Sequence, residues 1–149
     1  MFILIGSFAL SFAMANMKLP QRVTELAIDL VGNKWVILLL LAIMYIIMGM
    51  FLDGTSMMVL TLPVAFPVVT AGFGFDPVWF GVYLVILIEL SNITPPVGFN
   101  LYVIQVMTGR PIGFVARNSI PFMIILLIGL VLITAFPQIA LWLPSQMFR

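Results

Sequence analysis

The sequence predicts an all-α integral membrane protein, in which transmembrane helices are combined with a re-entrant helical hairpin and a proline-broken helix. Three observations carry this expectation. Hydrophobic residues make up 64% of the 149 and charged residues only 7%, with a mean hydropathy of +1.28, more apolar surface than one water-soluble core of this length can hide. The apolar residues gather into long runs separated by short polar stretches, the pattern of a chain whose solvent is a bilayer. The six basic residues, Lys18, Arg22, Lys34, Arg110, Arg117 and Arg149, all lie in those polar stretches or at the chain end.

Composition also excludes whole classes of function. A net charge of +1 provides no electrostatic footprint for nucleic acid. The absence of Cys and His removes disulfides, thiolate and imidazole metal sites and His-based acid–base catalysis. No nucleophile has an evident base, so the chain is not expected to be an enzyme.

Residues 1–15 lack the basic start of a signal peptide and, at about 1.5 Å per residue, fall short of a roughly 30 Å hydrocarbon core. They are expected to be a transmembrane helix that begins upstream. Residues 16–34 are more polar, yet Leu19, Val23, Leu26, Ala27, Leu30 and Val31 recur at helical spacing opposite Gln21, Arg22, Thr24, Glu25 and Asp29. This is the pattern of an amphipathic helix in the membrane interface, closed by Gly32 and Asn33, or of an ordinary loop helix. Residues 35–71 hold two apolar arms around the polar tip Asp53-Gly54-Thr55-Ser56, the second arm carrying Pro63 and Pro67. A re-entrant hairpin and two complete spans both return the chain to the face it came from.

Residues 78–107 form an apolar stretch interrupted at 91–100 by SNITPPVGFN, a discontinuous transmembrane helix. The connector at 108–118 contains Arg110 and Arg117 and no acid, which places it in the cytoplasm by the positive-inside rule. Residues 119–144 make the final span. Counting outward from the connector puts 16–34 and Arg149 on the periplasmic side, although Lys18, Arg22 and Lys34 pull weakly the other way.

Chemistry concentrates at the tip and at the break. Pro95 and Pro96 cannot donate to the carbonyls of Ser91 and Asn92 four residues earlier. An unsatisfied backbone group in hydrocarbon costs several kcal/mol, so such a break belongs beside protein or a polar cavity. Freed carbonyls, with the side chains of Asn92 and Thr94 and the small Gly98, suit a hard cation such as sodium; a plain proline kink is the alternative. At the tip, carbonyls end one arm and N–H groups begin the next, so the first suits a cation and the second an anion. Thr55 and Ser56 hydroxyls serve either, and Asp53 is an N-cap or an ion contact. Glu89 lies within an apolar run with no basic residue of the embedded segments to neutralise it, either a carrier of a cation or proton or a carboxyl hydrogen-bonded inside a bundle.

The ordered strings GMFLDGTSMMVLTLPVAFPVV and GFDPVWFGVYLVILIELSNITPPVGFNLYV, with the arm KLPQRVTELAIDL and the terminal PFMIILLIGLVLITAFPQIALWLP, resemble the large membrane subunit of tripartite ATP-independent periplasmic (TRAP) transporters over nearly the whole chain. The resemblance implies a sodium-coupled importer of small organic anions in the bacterial inner membrane, built as an elevator from two inverted repeats. Only the second repeat would be present here. It assigns Gly54, Thr55 and Ser56 to the hairpin tip and Asn92, Thr94, Pro95, Pro96, Gly98 and Asn100 to the broken helix. Ser91, Asn92, Thr94, Gly98, Thr55 and Ser56 would then hold sodium, and Gly54, Thr55, Ser56, Pro95, Pro96 and Asn100 would meet the substrate. Implied partners are the other half of the permease, a small membrane subunit and a soluble periplasmic binding protein; no cofactor is implied beyond the coupling ion. A symporter of the wider ion-transporter superfamily working without a binding protein, and a channel or structural membrane subunit, are the competing readings.

Overall fold

Prolines, two left-handed glycines and three capping side chains divide the chain into helices. A computed structural model describes residues 2–95 and 98–147, so Met1, Pro96, Val97, Phe148 and Arg149 lie outside the described residues. The helices are α1 (Phe2–Asn16), α2 (Leu19–Val31), α3 (Lys34–Met48), α4 (Gly54–Pro67), α5 (Pro77–Ile93), α6 (Phe99–Thr108), α7 (Ile112–Ala135) and α8 (Gln138–Met147), with α4 continuing as a π-helical turn over Val68–Gly72. No strand occurs among the described residues.

Each boundary has a local cause. Gly32 (φ 59°) and Gly109 (φ 65°) close α2 and α6 in the left-handed conformation that only glycine adopts cheaply, each donating its N–H back into the last turn. Asn33, Asp53 and Asp76 cap α3, α4 and α5 by accepting the otherwise orphaned N–H groups of Trp35, Ser56 and Val78. The amphipathic α2 meets α3 at a bend of 116° and lies across α4 and the π-helical turn, where the Thr24 methyl group occupies the space a side chain on Gly72 would need.

Helix α5 is the hub, in contact with α3, α4, α6, α7 and α8. Its Trp79, Phe80 and Leu87 are almost completely buried in one apolar core with Tyr45 and Met57. Phe75 stacks on Trp79 at 4.9 Å between ring centroids, Trp79 stacks on Tyr83 at 5.2 Å, and Trp35 meets the edge of Phe75 at 6.3 Å. Polar tips of these rings tie the helices together: Tyr83 donates to the Leu38 carbonyl at 3.0 Å, and Tyr45 hydrogen-bonds Thr61 across the two arms. The aromatic residues at the base of α5 therefore fill the bundle, whereas Trp142 and Tyr102 are exposed.

Two segments, Gly54–Gly72 (19 residues) and Ile112–Ala135 (24 residues), are apolar and long enough to cross a membrane, and α2 and α3, bent by 116°, would add a third only if taken together as one span. Ile124, Ile125, Ile128 and Val131 of α7 are exposed, a surface that belongs in lipid or against further protein. The chain is an all-α membrane protein. Two boundaries differ from the sequence expectation. Of the segment 108–118, only Gly109–Pro111 lies between helices, because Asn118 and Ser119 return their polar hydrogens to the carbonyls of Phe114 and Val115 and so ride on the first turns of α7. The terminal stretch divides into α7 and α8 at Phe136–Pro137.

That division leaves the Ile133 carbonyl without its helical donor, since the residue four places on is Pro137. The indole N–H of Trp79 takes its place at 2.8 Å, fully buried. Trp79→Phe is therefore expected to lower stability by about 1–3 kcal/mol, the cost of a buried acceptor left unpaired. In a Pro137→Ala background, which restores a backbone donor, the same substitution should cost distinctly less. Denaturant unfolding of the four proteins in detergent measures the difference, and equal losses in both backgrounds would refute the replacement.

Candidate functional site

Helix α3 ends at Met48 in a tight turn: Gly49 donates to the Tyr45 carbonyl at 2.8 Å, and Phe51 and Leu52 both donate to Met48. The tip then passes through Asp53, whose carboxylate accepts the Ser56 N–H at 3.1 Å and the Ser56 hydroxyl. Asp53 is thus the N-cap of α4, and Ser56 is buried beneath it. Thr55, by contrast, is exposed at the first turn of α4.

The break spans Thr94 to Gly98, narrower than the 91–100 interruption expected from composition. Here one expectation needs correction: the Ser91 carbonyl is not left free by Pro95, because Thr94 donates to it at 3.3 Å, tightening the last turn from a four-residue to a three-residue spacing. The Ser91 side chain is wholly buried, donating to the Ile88 carbonyl at 2.6 Å, and Thr94 donates to the Leu90 carbonyl at 2.6 Å. Across the break, Gly98 donates to the Thr94 carbonyl at 3.1 Å and presses against the carbonyl of Asn92, where any Cβ would collide. The Phe99 N–H that opens α6 donates to the Gly49 carbonyl at 3.3 Å, joining break and tip through the backbone.

Tip and break enclose a cavity of about 340 Å³ lined by Asp53, Gly54, Thr55, Met58, Val85, Ile88, Glu89, Asn92, Phe99 and Asn100. Six of the twelve residues singled out from sequence therefore share one cavity: Asp53, Gly54, Thr55, Glu89, Asn92 and Asn100. Ser56, Ser91, Thr94 and Gly98 stand behind it, Pro95 is half-buried in the break, and Pro96 lies outside the described residues. Asn92 is 3% exposed, and its Oδ1 has no hydrogen-bond partner among the described residues. A buried acceptor in that condition costs stability unless something fills its place. Gly54 makes room for it, since a Cβ there would stand 2.8 Å from Ile88 Cγ2 and 3.0 Å from Asn92 Nδ2. Glu89 is exposed toward the cavity, and no hydrogen bond or ion pair engages its carboxylate among the described residues.

The wall thus combines the N-terminus of α4, which attracts anions, with carboxylate and carboxamide oxygens, which attract cations. Sequence reading passed over Gly49. Its missing side chain lets α3 close on α5, because a Cβ there would stand 2.5 Å from both Cβ and Oγ of Ser91. The only signal was a small residue ending an apolar arm five positions before the tip glycine.

The family model described as tripartite ATP-independent periplasmic transporter, DctM component, matches residues 1–139. The C4-dicarboxylate TRAP transporter large permease protein DctM of Pseudomonas aeruginosa is 32% identical over 97% of this chain and 34% of its own length. Its counterpart of the same name in Rhodobacter capsulatus is 32% identical over 97% of this chain and 33% of its own length. The sialic acid TRAP transporter large permease protein SiaM of Vibrio cholerae is 31% identical over 95% of this chain and 33% of its own length. The chain spans about a third of the length of these curated relatives.

Close packing of Gly49 on Ser91 makes a measurable demand. Gly49→Ala should lower the unfolding free energy by about 1–3 kcal/mol through overpacking, and Ser91→Gly in the same chain should recover only part of it, because the added Cβ also stands 2.7 Å from the Ser91 backbone carbonyl carbon. Full stability of the single Gly49→Ala variant in the same unfolding assay would show that tip and break are not held in contact.

Proposed function

Because the chain belongs to the DctM-component family of tripartite ATP-independent periplasmic transporters, we propose that it forms the hairpin and broken-helix part of a large permease subunit that imports small organic anions by sodium-coupled secondary transport. The observation that supports this reading best is that Asn92, which lines the cavity between tip and break, has a buried Oδ1 without a hydrogen-bond partner among the described residues. Oxygen ligands without sulfur or imidazole favour a hard cation. In this reading sodium binds among Asn92, Thr55 and the backbone beside Gly98. The hydroxyls of Ser56, Ser91 and Thr94 give their hydrogens to neighbouring acceptors behind the cavity and so brace the tip and break that carry the ligands.

The substrate carboxylate is assigned to the first turn of α4, at the N–H groups of Gly54 and Thr55 with Asn100 opposite and Pro95 and Pro96 shaping the break. C4-dicarboxylates and sialic acid, named for the relatives, set the substrate class. The remainder of the permease, a small membrane subunit and a periplasmic binding protein complete the machinery, in the inner membrane of a bacterium. A proton is the competing coupling ion, favoured by the unpaired Glu89 carboxylate on the same cavity.

Uptake into proteoliposomes containing the complete transporter separates the two ions. Under sodium coupling, Asn92→Ala and Thr55→Ala should raise the sodium concentration for half-maximal uptake several-fold, while Glu89→Gln retains sodium dependence. Uptake that persists in sodium-free buffer, follows a pH gradient and disappears in Glu89→Gln would replace sodium with the proton.

A further inference from the structure

The sequence has no acidic residue after Glu89; its remaining charges are Arg110, Arg117 and Arg149. Arg110 follows the last turn of α6 and lies two residues before Ile112, the first residue of a 24-residue candidate span, which places it at headgroup level. Its guanidinium lies 5.4 Å from the Phe114 ring centre, and no carboxylate or other hydrogen-bond partner engages that group among the described residues. Beside it a crevice of about 230 Å³ runs between α6 and α7, with Ile104, Val115 and Phe122 as its apolar walls.

The crevice also holds Thr108, Asn118 and Ser119, but each donates to a carbonyl of its own helix, at 2.7, 2.8 and 3.0 Å. Its walls therefore present hydrocarbon, with one unpaired cation at the mouth. Arg117, on the same helix, does not line it. An apolar slot that opens beside a lone guanidinium at the membrane interface complements a molecule with an anionic head and a long hydrocarbon tail.

We propose that the α6–α7 crevice is a binding site for an anionic phospholipid, one acyl chain lying along Ile104 and Phe122 and the phosphate paired with Arg110. The assignment is independent of transport, because it uses none of the cavity residues at the tip and break. The positive-inside rule puts Arg110 in the cytoplasmic leaflet. The occupant would therefore tie the α6–α7 corner to that leaflet.

The test takes the full chain reconstituted with equal amounts of phosphatidylglycerol and phosphatidylcholine of identical acyl chains, then counts retained lipids by native mass spectrometry. Wild type should retain phosphatidylglycerol over phosphatidylcholine by about fivefold, the discrimination expected of one basic residue near a charged surface. Arg110→Gln should abolish most of this preference, while Arg117→Gln and Arg110→Lys should keep it. Glycerol 3-phosphate, a headgroup without chains, should not displace the lipid at matched concentration. Equal retention of the two lipids by wild type, equal loss in Arg110→Gln and Arg117→Gln, or ready displacement by glycerol 3-phosphate would each overturn the proposal.

Discussion

A backbone carbonyl that loses its helical donor inside a membrane needs another, and three such replacements, two of them at prolines, tie this structure together. Pro95 takes a donor from the Ser91 carbonyl, and Thr94 supplies one from within the same turn. Pro137 takes a donor from the Ile133 carbonyl, and the Trp79 indole supplies one from another helix. The Gly49 carbonyl, at the end of α3, is met by the Phe99 N–H that begins α6. Two of these three substitutions join separate helices. The rule that hydrocarbon tolerates no orphaned backbone groups thereby becomes tertiary structure.

From that constraint follows the placement of polar chemistry. The break is sealed by Gly98 against Asn92 and by Gly49 against Ser91, contacts that require hydrogen in place of a side chain. With hydroxyls turned onto nearby carbonyls and Asp53 turned onto Ser56, the tip and break satisfy most of their own hydrogen-bonding groups. Among the buried side chains of the described residues, Asn92 keeps an Oδ1 without a partner, and the residue lines the cavity. Glu89 and Asn100 reach the same space from the two halves of the broken helix, while Gly54 and Thr55 reach it from the tip. The tip and the broken helix together therefore form one wall of a cavity on which the Glu89 carboxylate stays unpaired among the described residues.

Much of this was legible in residue order. The polar tip, the amphipathic 16–34 segment and the paired prolines are local signals, and each corresponds to a boundary or a bend in the fold. The width of the break was not legible, because composition marks every polar residue from Ser91 to Asn100, whereas helix geometry depends only on which donors are missing. The start of α7 was obscured in the same way: Arg117 and Asn118 look like a connector, yet they sit on a helix, where Asn118 back-bonds to the Phe114 carbonyl of the preceding turn. Pro137 stood in plain view within an apolar run, and its effect on Ile133 emerges only when Trp79, 54 residues away, is brought beside it. Which side chains face the cavity was hidden for the same reason. Ser91 and Asn92 are neighbours in sequence, but one points at Gly49 and the other at the tip.

Tip and break line one cavity, and the proposed function puts a sodium ion there beside Asn92. These 149 residues contain no cysteine, so with any cysteines of the remaining transporter replaced, a direct measurement is the rate at which a single Asn100→Cys thiol reacts with a small membrane-permeant reagent in the complete transporter. The account predicts that sodium slows this reaction and that the same concentration of potassium does not, with Asn92→Ala removing the protection. Equal rates in sodium and potassium, with and without Asn92, would contradict it.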